Sequence, residues 1–147
     1  MNGPEAPAAV LMAIHPHFVE EILAGVKTVE LRRRPPKVEA GTPALMYATH
    51  PRCRVEGWFE IGGVASRPPE LLWRQVRTSA RVSRAHYDAY FAGVVVAHAI
   101  EVRRPRRLIR PFRLPTDLRA PQSYRFLYAS AKIHRRLLRQ AERQLSA

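Results

Sequence analysis

Short apolar or alternating runs recur along this chain at Val10–Ile14, Thr28–Arg34, Ala44–Thr49, Arg54–Val64 and Val94–Val102, and regular crossover helices do not separate them. That spacing is the strongest constraint on the fold. A doubly wound parallel sheet needs a helix between successive parallel strands. The pattern instead predicts an α+β architecture: a small mixed β-barrel of about five to six strands, with helices packed at its mouth and a further helix at the C-terminal end. A chain of 147 residues suits one domain, large enough to bury roughly two-thirds of its unfolded surface.

The connecting segments carry their own signals. His15-Pro16 opens a helix, because proline suits the first helical position. Glu20 and Glu21 fall near the positive end of its dipole, Phe18 with Ile22 and Val19 with Leu23 form an apolar face, and Gly25 serves as a left-handed cap. In the strand that follows, Val29 and Leu31 point one way while Thr28, Glu30 and Arg32 point the other, with Lys27 at the entrance. Pro35-Pro36 stops it. Gly62-Gly63 predicts a bulge or sharp bend. Helices are expected from Pro68 to about Val76 and from a Ser83 cap to Phe91, the latter ended by Gly93. The stretch 103–113 is basic and proline-broken, with room for a short strand. Residues 1–9 read as a flexible leader, 10–128 as the domain proper, and 129–147 as a basic amphipathic C-terminal helix with Ile133, Leu137, Ala141 and Leu145 at i,i+4 spacing. That stripe packs on the domain or on a partner chain, a homodimer through this helix being one such arrangement.

Basic residues outnumber acidic ones 25 to 12, for a net charge of +13. Such a charge suits a polyanionic partner, most often nucleic acid. A GC-rich genome would explain arginine in place of lysine, but not the excess of basic over acidic residues. Without about 18 consecutive apolar residues there is no expected membrane span. Met1–Pro7 lacks the pattern of a secretory signal, and a cytoplasmic setting follows by default. Cys53 stands alone, so neither a disulfide framework nor a cysteine zinc site is expected. His15-x-His17 has no third ligand at sensible spacing, and His50 only Cys53 nearby; no metal and no cofactor is expected.

Three of the basic residues are lysine and 22 arginine, which singles out Lys27. Lysine loses its proton readily on burial and can act as nucleophile or base, whereas arginine stays charged. Lys27 as a functional amine and Lys27 as a helix C-terminal cap are both open on spacing alone.

The segment Ile22-Leu23-Ala24-Gly25-Val26-Lys27-Thr28-Val29-Glu30-Leu31-Arg32 resembles the ASCH domain motif, G-x-K-x-x-E-x-R at a helix-to-strand junction. Leu45–His50, Gly57-Trp58-Phe59-Glu60 and Ala97–Val102 resemble the family's later strands in order. Pro121-Gln122-Ser123-Tyr124 resembles a P-Q-S-aromatic ending found in one bacterial and archaeal branch. The resemblance spans roughly residues 10–128. It implies a barrel related to the PUA and EVE folds, a cleft near the first helix lined by Lys27, Glu30 and Arg32, and RNA or a modified nucleoside as partner. One branch of the family contains N4-acetylcytidine amidohydrolases, in which the motif lysine acts with a threonine three residues on and a distant glutamate. Position 30 here is Glu30, and Glu56, Glu60 and Glu101 are the candidates for the distant carboxylate. Ribonuclease activity also occurs in the family.

On this reading Lys27 and Glu30 are the candidate catalytic pair, with Thr28, Arg32, Tyr47, Gln122, Ser123 and Tyr124 as substrate-binding candidates. Tyr47 and Tyr124 are the aromatics chosen for stacking on an unpaired base. Arg34, Arg103, Arg104, Arg106 and Arg107 are the candidates for a phosphate backbone. Three functions stay open: a module that binds RNA or a modified nucleotide, a small hydrolase (amidohydrolase or ribonuclease) using Lys27, and a nucleoside-sensing regulatory domain.

Overall fold

The computed structural model describes residues 3–145. Its elements run β1 (Ala9–Ile14), α1 (Pro16–Leu23), β2 (Val29–Arg32), β3 (Pro43–Ala48), β4 (Arg54–Arg67), α2 (Pro69–Val76), α3 (Arg84–Tyr90), β5 (Ala97–Phe112), β6 (Tyr124–Leu127) and α4 (Lys132–Leu145). The six strands form one sheet in the order β2-β5-β4-β3-β1-β6. Only β1 and β3 pair in parallel; the other neighbours are antiparallel. Strands β2 and β6 are opposite edges of this sheet, yet the Arg32 guanidinium in β2 lies 3.1 Å from Ser123 Oγ, just ahead of β6. The sheet therefore curls into a half-barrel whose edges meet across one arginine.

The curl creates two apolar layers. Val10, Met12 and Ile14 of β1 face inward with Ala44, Met46, Phe59, Ile61 and Ile100, and α1 plugs this interior through Val19 and Ile22. The alternate residues Ala9, Leu11 and Ala13 face outward with Leu45, Tyr47 and Val55 beneath Leu137 and Ala141 of α4. A third cluster packs Leu72, Val76, Tyr87 and Phe91 of α2 and α3 against Leu31, Ala97 and Ala99. The β1 run is apolar throughout because both its faces are covered.

Several local expectations hold. Gly25 and Gly93 take φ of 79° and 81° after their helices, Ser83 Oγ accepts from the His86 amide, and the β4–β5 register slips by one residue at Gly62-Gly63. Others need correction. Strand β2 is four residues long, ending at Arg32. Glu20 and Glu21 lie beyond the first turn of α1, which holds no acidic residue. Val94–Val96 precede β5, and Val95 is exposed. Strand β5 continues through the basic stretch to Phe112 despite Pro105. Its register against β4 slips between Arg103 and Arg106, and Arg104 has φ of 49°. A bulge is where a strand accommodates proline. Because β2 pairs only with His98–Glu101, this half of β5 also has one free edge.

Candidate functional site

The handover from α1 to β2 builds a pocket of about 170 Å³ at the open end of the half-barrel, lined by Lys27, Glu30 and Arg32 from the motif together with His15, Phe18, Leu31, Val82, His86 and Tyr90. Gly25 turns the chain so that Lys27 enters it, and the alternation of β2 sends Glu30 and Arg32 to the same side. All three side chains are buried.

Arg32 is the most connected. Its Nη2 donates to Glu30 Oε2 at 2.6 Å and to the Ala13 carbonyl at 2.8 Å; its Nη1 donates to Ser123 Oγ at 3.1 Å. One guanidinium thus joins β2, β1 and the approach to β6, and its planar fork suits these divergent acceptors better than an ammonium would. Lys27 Nζ donates to the Ala80 carbonyl, sits 4.5 Å from the Phe18 ring centroid, and lies 3.9 Å from Glu30 Oε1. Burial pushes the Lys27 pKa below the usual lysine value. The Glu30 and Glu21 carboxylates oppose that shift, and the Arg32 cation reinforces it. The result is an amine that gives up its proton more easily than an exposed lysine, beside a cation that does not.

The mouth is aromatic. Phe18 stands between the rings of His15 and His86, each 6.0 Å away centroid to centroid. Tyr90 closes the other side, its hydroxyl 3.3 Å from the Leu31 carbonyl; burial raises its pKa. His15, Phe18, His86 and Tyr90 were not among the residues expected from sequence. They come from the start of α1 and from α3, and no sequence spacing connects those segments.

Of the other expected residues, Ser123 holds Arg32, and Tyr124 lines the adjoining groove with Arg33, Arg34 and Ser123. Gln122 is exposed beside them. Thr28 is exposed and outside the pocket; its backbone bonds to Ser79 and Val102. Tyr47 lies on the outward face of β3, in the layer beneath α4, with the sheet between it and Lys27. Its parity along β3 is that of Leu45, opposite to the inward Met46. Arg103, Arg104 and Arg107 are each paired, with Glu101 (2.9 Å), Glu60 (2.6 Å) and Glu20 (2.7 Å), and Arg106 donates to the Leu145 carbonyl. The expected open basic cluster is therefore a set of local pairs. Glu56 is held by Arg52 and Arg54 at 2.8 and 2.6 Å; like Glu60 and Glu101 it stays outside the pocket, where Glu30 is the carboxylate present among the described residues. The amidohydrolase arrangement implied by the resemblance lacks both the threonine and the distant glutamate here. No cluster of three or more metal-ligating side chains occurs among the described residues, and no described helix is long and apolar enough to cross a membrane.

Comparison with known proteins agrees with this architecture. The ASCH domain family model matches residues 12–106. An ASCH domain-containing ribonuclease from Zymomonas mobilis is 30% identical over 129 residues, covering 84% of this chain and 86% of that protein. The crystal structure of ASCH from Zymomonas mobilis superposes with a TM-score of 0.80 at 27% identity, covering 90% of this chain and 94% of that one. The NMR structure of a Rhodopseudomonas palustris protein, Rpa0253, shares the fold at a TM-score of 0.52 and 14% identity, covering 95% and 96%. With the motif residues gathered in one pocket of a curled half-barrel, and the family model covering most of that fold, this chain belongs to the ASCH domain family.

Proposed function

We propose that this protein acts on RNA, holding one unpaired nucleotide in the Lys27–Glu30–Arg32 pocket and cleaving the adjacent phosphodiester. The observation that carries the reading is Lys27 itself: a buried amine with a lowered pKa, facing a pocket whose carboxylate is already engaged by Arg32. The pocket is smaller than the roughly 300–1,000 Å³ of a typical whole-ligand site, so it suits a part of a polymer. The name of the Zymomonas relative and the +13 charge favour RNA as that polymer. In the proposed step the unprotonated Lys27 amine takes the proton of the ribose 2′-hydroxyl as its oxygen bonds to phosphorus. The bond from phosphorus to the 5′ oxygen breaks, and that oxygen takes a proton from His86 at the mouth, acting as general acid. The products are a 2′,3′-cyclic phosphate and a 5′-hydroxyl.

A second reading, RNA binding without turnover, is favoured by one observation: Lys27 is only 1% exposed and already donates to Ala80, as a fixed hydrogen-bond donor would. The same experiment separates them. Labelled single-stranded RNA is incubated with wild type and Lys27→Ala, and products and binding are both measured. Cleavage that falls by about 10²–10⁴ in the variant, with binding within a few-fold, supports the enzyme. Binding without products in the wild type, lost in Lys27→Ala, supports the module. Equal product from both proteins removes Lys27 from the reaction.

A further inference from the structure

The basic residues of this chain are unequally available. Arg52, Arg54, Arg81, Arg103, Arg104 and Arg107 each pair with a carboxylate at 2.6–2.9 Å. Other exposed cations, among them Arg110, Arg113, Arg136 and Arg139, have no carboxylate partner among the described residues, and neither do Arg33, Arg34 and Lys37, which alone of these adjoin the Lys27 pocket. These three follow directly after the motif strand. Arg33 and Arg34 line two open grooves of about 490 and 700 Å³ that continue from the Lys27 pocket, and Lys37 lines the larger one. The pocket and the first groove share Tyr90 as a wall; the two grooves share Arg33, Arg34 and Tyr124. Phe126 stands beside Tyr124, their ring centroids 5.7 Å apart, and both are only partly buried. Ser66 Oγ and His98 Nδ1, 2.7 Å apart, supply a polar spot in the outer groove. Uncompensated cations beside partly exposed aromatic rings, in a groove leading away from a polar pocket, are what a single strand requires. Cations track the phosphates and rings stack on bases that a duplex would keep to itself.

We infer that single-stranded RNA leaves the Lys27 pocket past Tyr90 and runs along this groove, with Arg34 and Lys37 on successive phosphates and Tyr124 and Phe126 under the bases. The inference rests on the RNA reading above and adds the path, the strandedness and the residues. Arg33 serves mainly as a wall, since its Nη1 donates to the Tyr90 and Ala92 carbonyls at 2.8 and 3.0 Å.

The test measures the anisotropy of labelled 2′-O-methyl oligonucleotides, whose blocked 2′ oxygen prevents cleavage, across a salt series. Wild type, Arg34→Ala/Lys37→Ala and a control, Arg103→Ala/Arg104→Ala, are compared on a mononucleotide, a single-stranded hexamer and the same hexamer in a duplex. All four positions are exposed, and circular dichroism verifies folding. The groove variant is expected to bind the hexamer about tenfold more weakly. Its slope of log affinity on log salt should be shallower by about 1.4, or roughly 0.7 for each single-strand phosphate that is no longer neutralised. The mononucleotide should be unaffected, the control should match wild type, and the duplex should bind more weakly than the single strand. Unchanged hexamer affinity and slope in the groove variant would overturn the path while leaving the pocket reading intact; so would a control variant that loses as much. A wild type that binds none of the three overturns the RNA reading, and the path with it.

Discussion

Replacing Arg32 by methionine tests the central structural idea, that one guanidinium closes the half-barrel. Methionine keeps much of the apolar stem and removes the charge and its donors. Four acceptors then lose a partner: Glu30 Oε2, the Ala13 carbonyl, Ser123 Oγ and the Ser123 carbonyl. Glu30 is 6% exposed, so its carboxylate is left largely desolvated. Removing one member of a buried ion pair typically costs about 3–5 kcal/mol. The other acceptors add little beyond that, since one side chain serves all four and such losses do not sum. Lys27 Nζ, 3.9 Å from the other Glu30 oxygen, retains part of the compensation in its protonated form, which places the expectation near the lower limit, at about 3 kcal/mol, at pH values where Lys27 is charged.

Urea denaturation followed by circular dichroism measures this directly. For a chain of this size 3 kcal/mol lowers the melting midpoint by roughly 6–12 °C. Glu30→Met combined with Arg32→Met removes both charges, and should recover part of the loss, because a buried pair replaced as a unit is often close to neutral. Ser123→Ala removes only one neutral acceptor and should cost about 1 kcal/mol. If Arg32→Met costs under about 1 kcal/mol, the level of an exposed pair, the guanidinium is not what holds the sheet edges together.

The burial-lowered pKa of Lys27 means that the unfolded chain binds this proton more tightly. Stability should therefore rise with pH from the folded pKa up to the unfolded lysine value, and Lys27→Met should lack that rise in paired denaturation curves. His134 Nδ1 accepts from the Tyr128 amide at 3.0 Å and its pKa is lowered, first by burial and then by the Arg125 cation. Protonation removes that acceptor and favours the unfolded chain, so stability should fall as pH drops from the unfolded histidine value through the folded one. His134→Gln should flatten this limb, and amide exchange in α4 reports whether that helix loosens first. A Cβ at Gly57 would overlap the Met46 methyl, which would have to swing aside within the core, and would lie 3.1 Å from a Leu23 methyl and 3.3 Å from the Arg106 carbonyl; Gly57→Ala should cost about 1–3 kcal/mol, and no change in urea midpoint would contradict that packing.

The motif and the strand count were legible in the sequence because each depends on local order. A helix ended by glycine, then an alternating strand, is enough to gather Lys27, Glu30 and Arg32 on one side. Tyr47 was misplaced because β3 is apolar on both faces; without a polar face, alternation does not say which parity looks into the barrel. The arginines at 103–107 looked like a free cluster because their partners, Glu20, Glu60 and Glu101, lie on three different elements. Pro105 looked like a strand end because proline cannot donate to a ladder, yet β5 absorbs it where one edge is already unpaired. His15, Phe18, His86 and Tyr90 were invisible for a related reason. They meet only after α3 packs across the end of α1, and nothing in their spacing encodes that contact.

The rarity of lysine acquires a physical meaning from this arrangement. At position 32 the fold needs a permanent cation with several fixed directions, and arginine supplies both. Five residues earlier the backbone leads an amine into the same pocket, against the Ala80 carbonyl and the Phe18 ring. A second guanidinium there would stay charged beside the first, with Glu30 as the shared carboxylate. Lysine can shed its charge where burial disfavours the charged form. The pair thus separates two duties that one kind of cation would perform badly: Arg32 ties together the edges of the sheet, and in the proposed reaction Lys27 is the group that exchanges a proton within the pocket.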